Sequence, residues 1–363
     1  MYTVTHRTLG RTPLSRRAIL GGIAAAGLGP WPIARAAETL IVNGYGGEFG
    51  DILKATVIAP FEKKFGVSVT YDDTGTSSTN YAKIRATGGA PGFDVAAELT
   101  AAENALGARE KLLLPVTEKE VPNLAHTWAK SRASIPPNGT VNYYHYASLF
   151  YNKDKVKPPV SWLDYFRPAA LYGDAAKGRL LAFDPANVLE IYALAMGAQT
   201  QGGGIANMDP GWALLKEQKP FLGQVPTMSS AAVPYFENGT VWLAPFWSSR
   251  AAYYQARGLP FDFLIPKEGT MGLGGTSGIP INADNKPLAY EFLNFRLQPD
   301  VQRAFCLAYY ASPGRPDIDL PADFAAKQIT TQAKMDALEL PDATAIATNI
   351  KAWTLRFQEI MGG

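Results

Sequence analysis

A chain of 363 residues is longer than one hydrophobic core usually organises, so two domains are expected. Its formal net charge of +2 arises in residues 1–36, which hold five arginines and no acid; five from 34 leaves 29 basic against 32 acidic residues, a net −3 for the remainder. That balance, with no later run of like charge, excludes nucleic acid or another polyanion as a partner.

The opening segment reads as an export signal. Arg7, Arg11, Arg16 and Arg17 make a basic start, and 19–28 is an apolar core too short to span a membrane. Pro30 and Pro32 follow, then Ala34-Arg35-Ala36, a small-x-small cleavage pattern. Ser15-Arg16-Arg17-Ala18-Ile19-Leu20 resembles the twin-arginine signal, and a plain secretory signal with two adjacent arginines fits the same residues. Residues 1–36 are therefore expected to be removed. No later stretch has the length and apolarity of a spanning helix, so a soluble periplasmic product is expected.

The fold begins with a buried strand over 39–43 and a loop over 44–48 that carries Tyr45. A helix follows from about 50 to 65, with Ile52, Leu53, Val57, Ile58, Phe61 and Phe65 at helical spacing, stopped by Gly66. A strand over 67–71 leads into a polar loop, 72–80, whose five hydroxyl side chains include Thr76 and Ser77. A helix through Lys83 ends at Gly88-Gly89. Then come a strand over 93–97 and a helix over 101–110. This alternation predicts a parallel sheet whose strand-end loops form a concave wall.

The aromatic segments 141–146 and 148–154 are β-rich and mark the first crossing into a second lobe. Beyond a helix at 162–166, a strand over 180–184 ends on Asp184. Asn187 precedes an apolar helix over 188–198, and another helix spans 212–218. A strand over 241–246 then delivers Trp247, Ser248, Ser249 and Arg250 to a helix over 251–256, which Ser248 or Ser249 can cap. In open α/β sheets such a strand end is where ligands sit, although an ordinary βαβ unit with a buried Trp fits the same spacing. After a strand over 261–266, the glycine-rich 271–278 reads as a loop before a strand at 279–281. Helices over 286–297 and 301–310 follow, then one or two more to the end. The single cysteine, Cys306, cannot form an internal disulfide and reads as a small buried apolar residue.

Catalytic and metal signatures are missing from this sequence. There is no HExxH, CxxC, EF-hand, GxSxG, GxxxxGK or GxGxxG pattern. His145 lies among tyrosines, where a stacked, satisfied ring is the expectation, and Asp184 has no second carboxylate at a telling spacing. The composition suits binding rather than turnover. No cofactor and no metal are expected. The rival reading is a secreted hydrolase working from Asp184 and His145.

The sequence resembles the periplasmic substrate-binding proteins of ABC importers, in the spermidine/putrescine-type branch. The matching segments are PFEKKFGV at 60–67, FDV at 93–95, FYNKDKV at 150–156 with Ser161-Trp162, GTVW at 239–242, Trp247-Ser248, IPKEG at 265–269 and AYEFLNF at 289–295. The resemblance implies an α/β, two-lobed type II fold closing on a small-molecule ligand. Lobe one would hold 39–143 and 270–315, and lobe two 144–269 and 316–363. The protein would be a monomer that hands its ligand to a separate permease with its ATPase.

The resemblance also implies where the pocket departs from a polyamine site. Relatives place Gly and then an acid after the pocket Trp, where this chain has Ser249-Arg250 behind Trp247-Ser248. They place an aromatic and an Asp where this chain has Gly275-Thr276-Ser277-Gly278. They carry an acid pair where this chain has Asp184 and then Asn187. The reading that follows is a carboxylate- or other oxyanion-bearing solute, with an amine as a further possibility. Trp247 and Tyr45 would stack on it. Arg250 and Gly275, Thr276 and Ser277 would face the anion, with Thr76, Ser77, Asp184, Asn187 and Ser248 around them. A polyamine is the alternative. Ferric iron on one of the Tyr-Tyr pairs at 143–144, 253–254 or 309–310 is a minor one.

Overall fold

The computed structural model describes residues 38–362 other than 186, so the export signal read at 1–36 lies outside the described residues. Eleven strands are laid down in this order: β1 (Thr39–Asn43), β2 (Ser68–Asp72), β3 (Val95–Leu99), β4 (Thr140–Asn152), β5 (Leu180–Leu181), β6 (Leu222–Gln224), β7 (Leu243–Trp247), β8 (Phe261–Leu264), β9 (Thr270–Gly278), β10 (Ser312–Pro313) and β11 (Leu338–Glu339). The sheet runs β2-β1-β3-β9-β4-β7-β5-β6, with β8 and β10 on β4 and β11 on β9.

β4 organises this path because it belongs to two sheets. Its first half pairs with β9 as far as Tyr146↔Gly272, and its second half pairs with β7 from Ala147↔Trp247 onward. One core gathers Leu40, Val42, Phe61 and Phe292, and a second gathers Phe150, Phe166, Phe183 and Phe246. Each fully buried ring contributes about 1.5–3 kcal/mol, so both sheets have their own source of stability. Cys306 is buried and unpaired, and burial pushes its thiol up, which leaves it inert.

Several boundaries differ from those expected. The first helix begins earlier: Gly47–Leu53 runs through a π-helical turn, Lys54–Ile58, into Ala59–Phe65, and left-handed Gly66 ends it. The polar loop after β2 is shorter than 72–80, because Thr76 caps the helix Ser77–Ala86 in a capping box with Thr79. The third strand lies two residues later than expected. Asp94 precedes it and accepts the Ile41 and Asn285 N–H groups at 2.9 and 2.8 Å. The sheet is also not wholly parallel, since β9 is antiparallel to both β3 and β4.

The largest correction is the glycine-rich segment. Residues 271–278 are not a loop but most of β9, and 279–281 forms no named strand. These glycines avoid the left-handed region that a turn requires. They serve close approach instead. A Cβ at Gly275 would lie 2.3 Å from the Tyr143 ring, and one at Gly274 would lie 2.4 Å from Val141 Cγ1.

Candidate functional site

Tyr45 leaves β1 in the loop before the Gly47 helix. Its carbonyl accepts the Tyr71 hydroxyl at 2.7 Å, and its ring meets Phe49 edge-on at 5.3 Å. Its own hydroxyl is close to Ser77, Glu98 and Glu103; burial, followed by the Glu98 and Glu103 carboxylates, pushes its pKa well up. Ser77 is buried, donates to Glu103 and accepts the Thr100 N–H at 2.9 Å. Glu103 also takes the Thr100 N–H and hydroxyl, each at 2.9 Å, at the start of the helix Ala101–Arg109. Tyr45, Ser77 and Glu103 thus form one connected cluster at the carboxyl ends of β1, β2 and β3.

The facing cluster is built at the end of β7. The Trp247 ring stacks on His145 at 4.7 Å and 23°, and meets Tyr192 edge-on at 5.9 Å. His145 Nδ1 is buried with no partner, and burial, reinforced by the nearby Arg250, lowers its pKa to about 3. An imidazole held neutral to that degree is a poor general base near neutral pH, which removes half of the hydrolase reading. Ser248 is fully buried and accepts the Tyr146 N–H at 3.2 Å. Contrary to expectation, neither Ser248 nor Ser249 caps the following helix, Ser248–Ala256, whose N-cap is Trp247 with no side-chain bond.

Arg250 reaches across between the two clusters. Its guanidinium bonds Glu48, on the first helix, at 2.8 Å and lies 5.6 Å over the Tyr309 ring. The side chain is 29 % exposed. It is thus half-buried, and its charge is matched by a carboxylate 202 residues away.

The rest of the expected set divides. Asp184 donates its N–H to the Pro226 carbonyl at 3.0 Å, and Asn187 caps the helix Val188–Gln199 by accepting the Leu189 N–H at 3.3 Å. Thr76 is exposed and its hydroxyl is engaged in its own cap. Gly275, Thr276 and Ser277 do not present a loop of donors. They are interior to β9, where the Thr276 and Ser277 hydroxyls donate to the Leu99 and Ala97 carbonyls, each at 2.9 Å. Among the described residues no group of three or more His, Cys, Asp or Glu is clustered to hold a metal, and the Tyr253-Tyr254 pair of the iron reading lies inside the Ser248 helix.

Sequence reasoning missed Glu48, Glu98 and Glu103, and raised Tyr309 only in the iron reading. Glu103 had a signal, because Thr100-x-x-Glu103 is a capping box. Glu98 directly follows the strand expected at 93–97 and lies inside the observed β3, and nothing near it in sequence announces its partner. It is fully buried against Arg296 at 2.5 Å and takes the Tyr143 hydroxyl at 2.8 Å.

Two sheets sharing β4, with facing clusters at their strand ends, define the two-lobed periplasmic-binding-protein fold of type II. The chain belongs to the bacterial extracellular solute-binding protein family, whose model matches residues 56–332. It is similar to the putrescine-binding periplasmic protein PotF of Escherichia coli, at 27 % identity, with 94 % of this chain and 98 % of that protein covered. The spermidine/putrescine-binding periplasmic protein of the same organism is 26 % identical over 80 % of each chain. Among solved structures, a putative extracellular solute-binding protein from Bordetella parapertussis superposes with a TM-score of 0.76 at 25 % identity, covering 90 % of this chain and 99 % of that one. The protein is thus the substrate-binding component of an ABC importer, working with a membrane permease. Its family is one of periplasmic solute-binding proteins, not enzymes. No helix among the described residues is long and apolar enough to cross a membrane.

Proposed function

We propose that the captured solute is a small organic molecule bearing at least one ammonium group. The observation that carries this reading is the Arg250–Glu48 bond at 2.8 Å, which neutralises the cation on which an oxyanion reading depended. Glu98 is likewise matched by Arg296. Glu103, which accepts only from neutral donors, then gives the walls a net negative charge, and Tyr45, Trp247 and Tyr309 supply aromatic faces. Carboxylates and ring faces are what an ammonium needs. The similarity to proteins named for putrescine and spermidine points the same way.

A carboxylate-bearing amine is the second reading, favoured by the partial exposure of Arg250, whose guanidinium could exchange Glu48 for a ligand carboxylate. Calorimetric titration with putrescine, 4-aminobutyrate and glutarate separates the two. Putrescine is expected to bind, and Arg250→Ala to tighten it several-fold by freeing Glu48 and relieving a like-charge repulsion of about 1 kcal/mol. If 4-aminobutyrate is the ligand, the same variant weakens it. Binding of glutarate without either amine overturns the proposal.

Capture proceeds by closure of two lobes, 39–143 with 270–315 and 144–269 with 316–363. The switch of β4 from β9 to β7 between Tyr146 and Ala147 supports a crossing there. Ligand contacts to both lobes favour the closed form. Small-angle scattering is expected to show compaction at saturating ligand, and an unchanged radius contradicts the closure mechanism. Residues 1–36 direct export, by the twin-arginine route on the reading of Arg16-Arg17, and are then removed. The mature monomer works in the periplasm with its permease and a separate ATPase.

A further inference from the structure

A cavity of about 490 Å³ lies beside the two clusters, between the first turns of the Ala101 and Val188 helices. Strand β9 forms one wall and the helix Ala343–Gly362 another. Its surface is mostly apolar, with Ala102, Ala105, Val188, Leu273, Ile346 and Ile350 prominent. That volume falls in the range of small-molecule sites.

The cavity shares walls with the ligand cleft. Tyr192 lines it and meets the Trp247 ring edge-on at 5.9 Å. Thr100 lines it and bonds both Ser77 and Glu103 at 2.9 Å. Tyr192 and Thr100 are therefore the residues that stand between this chamber and the two clusters. Asp342 is the one charged side chain in the lining, so away from it a bare diamine would place its second ammonium against aliphatic wall, where a charge is costly to desolvate. An aryl or branched alkyl group gains from the same surface.

We infer that the solute is asymmetric: one charged head in the aromatic cluster, and an apolar aryl or branched-alkyl arm in this chamber. The inference deepens the amine reading and rests on it only for the charge of the head. Titration of four compounds keeps the two questions apart: 4-phenylbutylamine, putrescine, 4-phenylbutyrate and glutarate. Comparing aryl with doubly charged compounds tests the chamber, and comparing amines with carboxylates tests the head.

The aryl member of the preferred head class is expected to bind at least about tenfold more tightly than its doubly charged counterpart, the gain from burying a ring. Ala105→Phe, which fills the chamber, is expected to abolish that preference while the counterpart's affinity stays the same. Ala102→Leu, a smaller intrusion, is expected to reduce it, and thermal melting establishes that both variants fold. Aryl compounds no tighter than their counterparts, none binding included, overturn the inference, as does a preference that survives both substitutions. A preference held by 4-phenylbutyrate instead of 4-phenylbutylamine supports the chamber and refutes the amine head.

Discussion

Arg296→Met is expected to lower the unfolding free energy by about 3–5 kcal/mol, read by urea denaturation at neutral pH. Arg296 and Glu98 are each 1 % exposed and 2.5 Å apart. The guanidinium also donates to the Ala97 carbonyl at 2.7 Å and to Ser277 Oγ at 2.9 Å, tying β3, β9 and the helix Lys286–Arg296 together. Methionine fills much of the volume but leaves a buried carboxylate with only the Tyr143 hydroxyl as its partner. The cost is that uncompensated charge rather than lost packing. Burial already pushes the Glu98 pKa up against the opposing pull of Arg296 and Tyr143, and without Arg296 it rises further. The variant's deficit should therefore shrink as pH falls toward the unfolded carboxyl range, where Glu98 enters the core protonated. Adding Glu98→Gln should recover part of the loss. A double variant no more stable than the single one would show that packing, not charge, dominates the site.

The sequence revealed those parts of the protein whose physics is local. The Ile52 to Phe65 spacing predicted a helix, and Gly66 its end, because both signals act within a few residues. The placing of Trp247 and Arg250 where β7 runs into a helix was legible because the apolar run and the polar break after it lie within a few residues. The partner of Arg250 was not legible, since Glu48 is brought to it only by the tertiary fold. The glycines of β9 misled because glycine serves two ends, positive φ and close approach, and a sequence does not say which. Here Tyr143 packs against Gly275, so the need arises on another strand. Glu98 was hidden because its partners, Arg296 and Tyr143, are brought to it only by the tertiary fold.

Glu190→Gln is expected to be near neutral at pH 5 and stabilising at pH 9. Glu190 is fully buried in the first turn of the Val188 helix. One oxygen accepts the Phe183 N–H at 2.8 Å and the other has no partner. A carboxylate near a helix N-terminus is ordinarily favoured by the helix dipole. Here burial dominates and pushes the pKa from its ordinary 4.5 to about 8, with the Phe183 N–H opposing. The folded state therefore holds a proton that the unfolded chain releases above its own lower pKa. Stability from this group is full below about 4.5, falls as pH rises through the window up to about 8, and is level above it. Across that window the loss is on the order of 4–5 kcal/mol at most. Glutamine keeps a carbonyl for the Phe183 N–H and carries no charge at any pH, so its curve should lack this slope. Melting temperatures of both proteins at pH 5 and pH 9 test this directly, and parallel declines would assign the slope to another group. The same residue bears on binding, because Phe183 leads directly into the segment that carries Asp184 and Asn187. Ionising Glu190 strengthens the Phe183 bond but leaves an unpaired charge buried behind that segment, so wild-type ligand affinity should fall between pH 7 and pH 9 more steeply than that of Glu190→Gln.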